Sequence, residues 1–309
     1  VLSSFINTAA LLAPDFCLVA LGYLLMRYSP FKRDAWTVIE QLVYYVLFPV
    51  LLFNAVSKAN LAFASTAGFL LSGLALAAFA ISAGYSVRWL LKPDASLYAS
   101  GVQTAFRFNS YIGLAVAERL AGAEGVSLLG LLIGFCVPVF NVASVYPLAR
   151  HSERKVASEI IRNPLIIATV SGLLANFAGL ALPQLLQPAA ERMGSAAILL
   201  GLMAVGAGLQ VGELRQSGIH TLLLGSYFLA VKHVLKPLLA LGIAAWLPLP
   251  GLQAVVLALF ASLPTASNAY VLAARMGGNA PFVAALVTLS TLLSVVSITV
   301  FVALARSLG

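Results

Sequence analysis

The chain has 309 residues, 61% of them hydrophobic and only 9% charged, with a mean hydropathy of +1.00. Soluble domains carry roughly a quarter charged residues, so this composition excludes a globular water-soluble fold and predicts an all-α integral membrane protein bathed mainly in lipid. The net charge of +8 is not gathered into a basic soluble domain. That excludes a nucleic-acid partner and suits cationic loops that orient a membrane protein.

The first apolar stretch has no Lys or Arg before it, and Arg27, Lys32 and Arg33 follow it. This is the reverse of a cleavable signal peptide and predicts a first helix with its N-terminus outside. Stretches of about 20 apolar residues, the length that spans a bilayer, fall near 8–28, 36–56, 66–91, 97–120, 126–148, 162–182, 192–211, 219–246, 252–275 and 281–306. Ser29-Pro30, Lys92-Pro93-Asp94, the polar run from Arg150 to Lys155 and Pro248-Leu249-Pro250-Gly251 punctuate them. Cys17 and Cys136 lie inside spans without metal or CxxC spacing and read as small core residues.

Of the 18 basic residues, eleven fall in odd-numbered loops, four in even loops and the tail, and three inside spans. Odd loops are therefore predicted to be cytoplasmic and both termini to lie outside. The hydrophilic segment 150–161 separates five spans (1–149) from five more (162–309), and an odd number per half inverts one half relative to the other. Matched punctuation supports an inverted repeat. Phe108-Asn109-Ser110-Tyr111 in span 4 stands against Ser267-Asn268-Ala269-Tyr270 in span 9. Asn141-Val142-Ala143-Ser144 in span 5 stands against Ser294-Val295-Val296-Ser297 in span 10.

Inverted repeats place substrate sites at discontinuous helices near mid-membrane. The run Leu263-Pro264-Thr265-Ala266-Ser267-Asn268 is a poor helix former, because proline lacks a donor and Thr, Ser and Asn bond to nearby backbone. Broken helices 4 and 9 are thus predicted to cross at the midplane, their half-helix N-termini offering N–H groups to an anion. The predicted binding residues are Arg107, Asn109, Ser110, Asn141, Pro264, Thr265, Ser267 and Asn268, with Gln103 and Asn54 as weaker lining candidates.

A charge inside the membrane is costly unless paired or hydrated. Arg107, roughly 15 Å deep by helix rise, is read either as a partner for a substrate carboxylate or as part of a structural pair. Lys232 and Lys236, at i,i+4 on one face, must meet water, a carboxylate or the crossover, and a snorkelling or helix-end role is expected of Lys236. Asp15 is read as a proton-coupling group, a pore-rim group or the counter-ion of a lysine. Glu40 and Glu213 are expected to be solvated at the cytoplasmic interface.

Phe106-Arg107-Phe108-Asn109-Ser110-Tyr111-Ile112-Gly113, Arg162-Asn163-Pro164-Leu165-Ile166-Ile167, Leu263 to Tyr270, Ala274-Arg275-Met276-Gly277-Gly278 and Ser290-Thr291-Leu292-Leu293-Ser294 resemble the auxin efflux carrier family in its bacterial branch. The resemblance runs over essentially the whole chain. It implies a ten-helix fold shared with bile acid:sodium symporters, with a scaffold of helices 1, 2, 6 and 7 and a mobile transport domain of helices 3–5 and 8–10. It implies alternating-access carriage of a small organic anion (malonate, malate or an auxin-like acid) in the bacterial inner membrane, as a homodimer through the scaffold. No cofactor is implied beyond coupling to H⁺ or Na⁺. By the same resemblance, Lys232 stands where related symporters hold a cation. Plant members carry a proline directly before the helix 4 asparagine. Here Phe108 occupies that place, which predicts a gentler break.

The competing classes are a sodium-coupled carrier, a channel or receptor, and an intramembrane enzyme. The three histidines, His151, His220 and His233, are scattered and no HExxH occurs, against a metal-dependent enzyme. No GxxxxGK[ST] loop occurs, against an ATP-driven pump.

Overall fold

A computed structural model of the chain describes residues 2–58, 63–149, 164–180, 182–209, 219–247, 249–266 and 269–308. Among these residues the fold is entirely helical. Helix α1 (Leu2–Tyr28) is followed by α2 (Arg33–Leu42), which runs through a π turn (Val43–Leu47) into α3 (Phe48–Ser57). Helix α4 (Phe63–Leu90) precedes α5 (Ala95–Gly101), a 3-10 turn (Val102–Ala105) and α6 (Ser110–Ala149). Then come α7 (Pro164–Phe177), α8 (Gln187–Ala207), and α9 (Ile219–Ala230), which passes through a second π turn (Val231–Leu235) into α10 (Lys236–Trp246). Helices α11 (Gly251–Ser262), α12 (Ala269–Arg275) and α13 (Ala280–Leu308) complete the order.

Six stretches among the described residues are long and apolar enough to cross a membrane: Arg33–Ser57, Thr66–Leu90, Ala95–Leu148, Gln187–Ala207, Ile219–Trp246 and Ala280–Ser307. The chain is a multi-pass membrane protein. The third stretch holds 54 residues, about 80 Å of helix if straight, against a hydrocarbon core of about 30 Å. It is not straight. Ala121 (φ −153°, ψ 22°) and Gly122 (φ 55°, ψ −143°) leave helical geometry, and glycine is the residue that takes the left-handed step at least cost.

Sequence chemistry explains the other irregularities. Both π turns lie just before a proline, Pro49 or Pro237. A proline nitrogen cannot serve the carbonyl four residues back, and the backbone shifts locally to i→i−5 bonding. Phe48 N–H accordingly donates to Val43 O, and Lys236 N–H to Val231 O. Asp94 starts α5 by accepting from Ser96 N–H (2.9 Å) and Leu97 N–H (3.1 Å).

Helix α1 packs on α8, and α3 packs on α7 and α8. Helices α10, α11 and α12 pack on α13, and α10 on α11, with α4 and α6 against α11. Where α1 meets α8 the backbones touch. A Cβ on Gly206 would stand 1.8 Å from Val19 O, and one on Gly22 would stand 1.9 Å from Met203 O. Small residues let membrane helices approach this closely, and dispersion then holds them. Gly206→Leu should therefore separate α1 from α8, costing about 1–3 kcal/mol as overpacking typically does. Thermal unfolding of the purified protein in detergent should show a lower midpoint than wild type, whereas the lipid-facing Leu222→Ala (51% exposed) should leave it unchanged.

Candidate functional site

Two interruptions of the helical path lie together, at 106–109 between the 3-10 turn and α6, and at 263–266 after α11. Ser267 and Asn268 lie outside the described residues. The two interruptions touch. Asn109 N–H donates to Pro264 O (2.9 Å), and Thr265 Oγ1 donates to Thr104 O (2.9 Å).

The gentler break expected where proline is replaced by Phe108 is not what forms: residues 106–109 are fully outside helix. Side chains do the work of the missing proline. Before the break, Thr104 Oγ1 and Gln103 Nε2 bond back to Gly101 O (2.6 Å) and Ser100 O (3.1 Å), competing with the regular ladder. After it, Asn109 Oδ1 accepts from Tyr111 N–H (3.0 Å) and Ile112 N–H (3.2 Å), an N-cap that opens α6. The non-helical segment is pinned by aromatic packing. Phe106 stacks on Phe140 (centroids 5.6 Å apart), and Phe108 meets Phe140 and Phe260 edge-on (5.9 and 5.0 Å).

Each interruption frees carbonyls at the end of a half-helix, and a lysine covers each end. Lys232 Nζ donates to Arg107 O and to Phe106 O (3.4 Å). Lys236 Nζ donates to Phe260 O (3.2 Å), in the last turn of α11, and stands 4.5 Å from the Phe260 ring centroid. Both lysines have no exposed surface, so Lys236 does not snorkel; it serves a helix end. Cations belong at helix C-termini because the macrodipole is negative there. The face shared by the two lysines thus meets the crossover itself.

Between them, His233 braces the second interruption. Ser297 Oγ donates to Ser262 O (3.2 Å) and so accepts from His233 Nδ1 (2.9 Å). In the neutral ring that tautomer, assigned from the network, leaves Nε2 to accept from Ser290 Oγ (2.7 Å). Ser290 Oγ in turn accepts Thr265 N–H (2.9 Å).

Beside the two interruptions lie two adjoining lobes of a cavity of mixed polar and apolar lining, each about 90 Å³, that share Tyr44, Phe108, Ser110, Leu165 and Ala266. One lobe adds Arg33, Glu40, Asn109, Tyr111 and Tyr270. The other adds Arg107 and Asn141. Asn109 Nδ2 is buried and has no hydrogen-bond partner among the described residues. Arg107 Nη1 donates to Gln103 Oε1 (3.0 Å), and Gln103 Nε2 donates to Ala269 O (3.2 Å), so Gln103 ties Arg107 to the start of α12. Arg33 Nη2 donates to Glu40 Oε1 (3.0 Å) and to Tyr270 OH (2.9 Å).

The structure therefore brings Arg107, Asn109, Ser110 and Asn141 to one cavity. Pro264 and Thr265 are buried and act through the backbone contacts above. Lys232 supports the crossover from behind, and Asn54 and Gln103 do not line the cavity. Asp15 is remote from it. Its nearly buried carboxylate accepts a two-point bond from Arg119 (Nε 2.9 Å, Nη2 2.6 Å), so its counter-ion is an arginine rather than a lysine. Glu40, read as solvated, is instead a cavity residue paired with Arg33. Glu213 lies outside the described residues. Sequence reasoning missed Arg33 and Tyr270 as cavity residues. The one available signal was that Tyr270 repeats Tyr111 two residues after an asparagine.

A multi-pass helical protein whose interrupted helices meet beside a polar, cation-lined cavity is built as a membrane transporter. Residues 146–302, about half of the chain, match the family described as membrane transport protein (Mem_trans), and the chain belongs to that family. Among curated proteins, the "Putative malonate transporter" of Rhizobium meliloti (strain 1021) is 27% identical over 314 residues, an alignment covering 96% of this chain and 95% of the relative. Family and relative alike point to a transporter and not an enzyme.

The Asp15–Arg119 pair yields a test. Removing Arg119 alone strands a buried carboxylate, whereas removing both partners does not. Arg119→Leu should destabilise by up to about 3 kcal/mol, a figure reduced from that of fully buried pairs because Arg119 is partly exposed. Asp15→Leu/Arg119→Leu should recover much of the loss in the same thermal assay.

Proposed function

We propose that the chain carries a small organic anion, a carboxylate or weak acid such as malonate, malate or an auxin-like acid, by alternating access. The observation that carries this reading is the buried amide nitrogen of the cavity residue Asn109, which has no partner among the described residues. Its oxygen is committed to the α6 N–H groups, so the group left over is a donor and not an acceptor. Buried polar groups are almost always satisfied, so an orphan donor beside two guanidinium-bearing residues and a helix N-terminus fits an acceptor with negative charge. The lobes are small beside the roughly 300–1,000 Å³ of pockets for drug-sized ligands, which favours a compact anion over a sterol-sized one. The name of the curated relative agrees with that size.

In this reading ten membrane helices form two inverted repeats, 1–149 and 162–309, joined by the cytoplasmic linker 150–161. The scaffold is the first, second, sixth and seventh helices. The remainder is the transport domain, moving elevator-fashion with the anion at the crossover, in a bacterial inner-membrane homodimer with both termini outside. Ser267 and Asn268 complete the site from the second repeat. Lys232, on the carbonyl ends of the first interruption, supplies the positive charge that a coupling cation would otherwise bring, so transport proceeds without sodium.

Losing a hydrogen bond to a charged group costs about 1.5–3 kcal/mol. Asn109→Ala should therefore weaken carboxylate binding roughly tenfold or more and slow uptake into proteoliposomes. Unchanged binding and flux in both Asn109→Ala and Asn268→Ala would refute the site. Uptake should be indifferent to an imposed sodium gradient, and strict sodium dependence would contradict the role given to Lys232.

A further inference from the structure

The lobe that contains the orphan Asn109 amide also holds a carboxylate, which an anion site should not tolerate. Glu40 and Arg33 sit seven residues apart, two turns along α2, so they share a face. The Arg33 guanidinium donates to both Glu40 oxygens (3.0 and 3.4 Å) and reaches across to Tyr270 OH on α12 (2.9 Å). Both side chains are about one-third exposed (35% and 32%), open to water and to a ligand in the cavity. Tyr44 on the π turn, Tyr111 on α6 and Tyr270 on α12 are the other titratable residues lining this lobe, and α7 and the end of α8 present Leu165 and Gly208. Lys32 and Asp34, flanking Arg33, face solvent. Among the described lining residues, Arg33 is thus the only cation in this lobe and Glu40 the only anion.

Resting on the anion-site reading above, we propose that Arg33 is a further anion-binding residue, and that an anion takes it over from Glu40 as Glu40 takes up one proton. A carboxylate ligand reaching Asn109 competes with Glu40 for one guanidinium, and two anions held against that one cation repel each other at close range. A proton from solvent added to a Glu40 oxygen removes the repulsion. The Arg33 fork then turns to the ligand, the two-point geometry in which guanidinium binds carboxylate best. Tyr270 OH keeps Arg33 beside the crossover during the exchange. By linkage, protonation tightens anion binding and anion binding tightens protonation by the same factor.

The test is malonate binding to the purified full chain, measured by calorimetry across the neutral pH range in buffers of different ionisation enthalpy. A monocarboxylate of similar size serves as second probe. The wild type should take up protons on binding, and its Kd should rise with pH, by up to about tenfold per unit when one proton is linked. Glu40→Gln should bind as tightly as the wild type does at low pH, with no pH slope and no proton uptake. Arg33→Gln should bind weakly at every pH. Binding to the wild type without proton uptake, a Glu40→Gln profile matching wild type, or full affinity in Arg33→Gln would each overturn the proposal while leaving the anion site standing. Failure of both probes to bind the wild type would overturn the anion site and this proposal together.

Discussion

Interrupting a helix inside a membrane frees backbone donors and acceptors where no bulk water stands ready to receive them. Each such group is costly unless the protein itself supplies a partner. The crossover is organised by that requirement. Lys232 and Lys236 cover the carbonyl ends of the two half-helices, and Asn109 caps the N–H end of one resumed helix. The His233–Ser290–Thr265 chain holds the second interruption in place. Asn109 N–H to Pro264 O then makes each interruption a partner of the other. The fold around them, from the π turns to the aromatic cluster at Phe106, Phe108, Phe140 and Phe260, keeps these few bonds in register.

Function follows from what this internal satisfaction leaves over. The lysines are consumed by the backbone and are sealed from solvent, so they hold the two interruptions without meeting a ligand. Arg107, held by Gln103, and Arg33, shared between Glu40 and Tyr270, stand at the cavity. Among the described residues, the Asn109 amide nitrogen remains unmatched. A cavity that offers donors and positive charge, and in which the one carboxylate among the described lining residues is already paired, suits the small anion proposed above.

Much of this was legible in the sequence because hydropathy and backbone chemistry are local. The helical segments lie where the apolar stretches fall, the turns at Lys92-Pro93-Asp94 and before Gly251 lie where proline and aspartate place them, and the interruptions lie at the Asn109 and Pro264 motifs. What was not legible depends on partners distant in the chain. Asp15 finds Arg119, 104 residues away, and a positive-inside count treats that arginine only as a loop charge. Arg33 belongs to the same kind of topogenic cluster, and its tie to Tyr270 spans 237 residues. The break before α6 is sharper than the missing proline predicts, because capping by Asn109 and the bonds from Lys232 suffice to hold it. Lys236 stays open between a snorkelling and a helix-end role in the sequence, because nothing in its own helix announces the Phe260 carbonyl and ring that receive it.

The proposed function requires the cavity to be a saturable site for a small carboxylate that alternates between the two sides of a membrane. Solute counterflow in proteoliposomes addresses it most directly. Vesicles preloaded with one carboxylate from a panel of mono- and dicarboxylates are diluted into a trace of the same compound in labelled form. The account predicts transient accumulation of label, driven by the preloaded anion and saturating with its concentration. Label that only equilibrates, at a rate proportional to concentration and unaffected by preloading, would describe a channel and contradict the account.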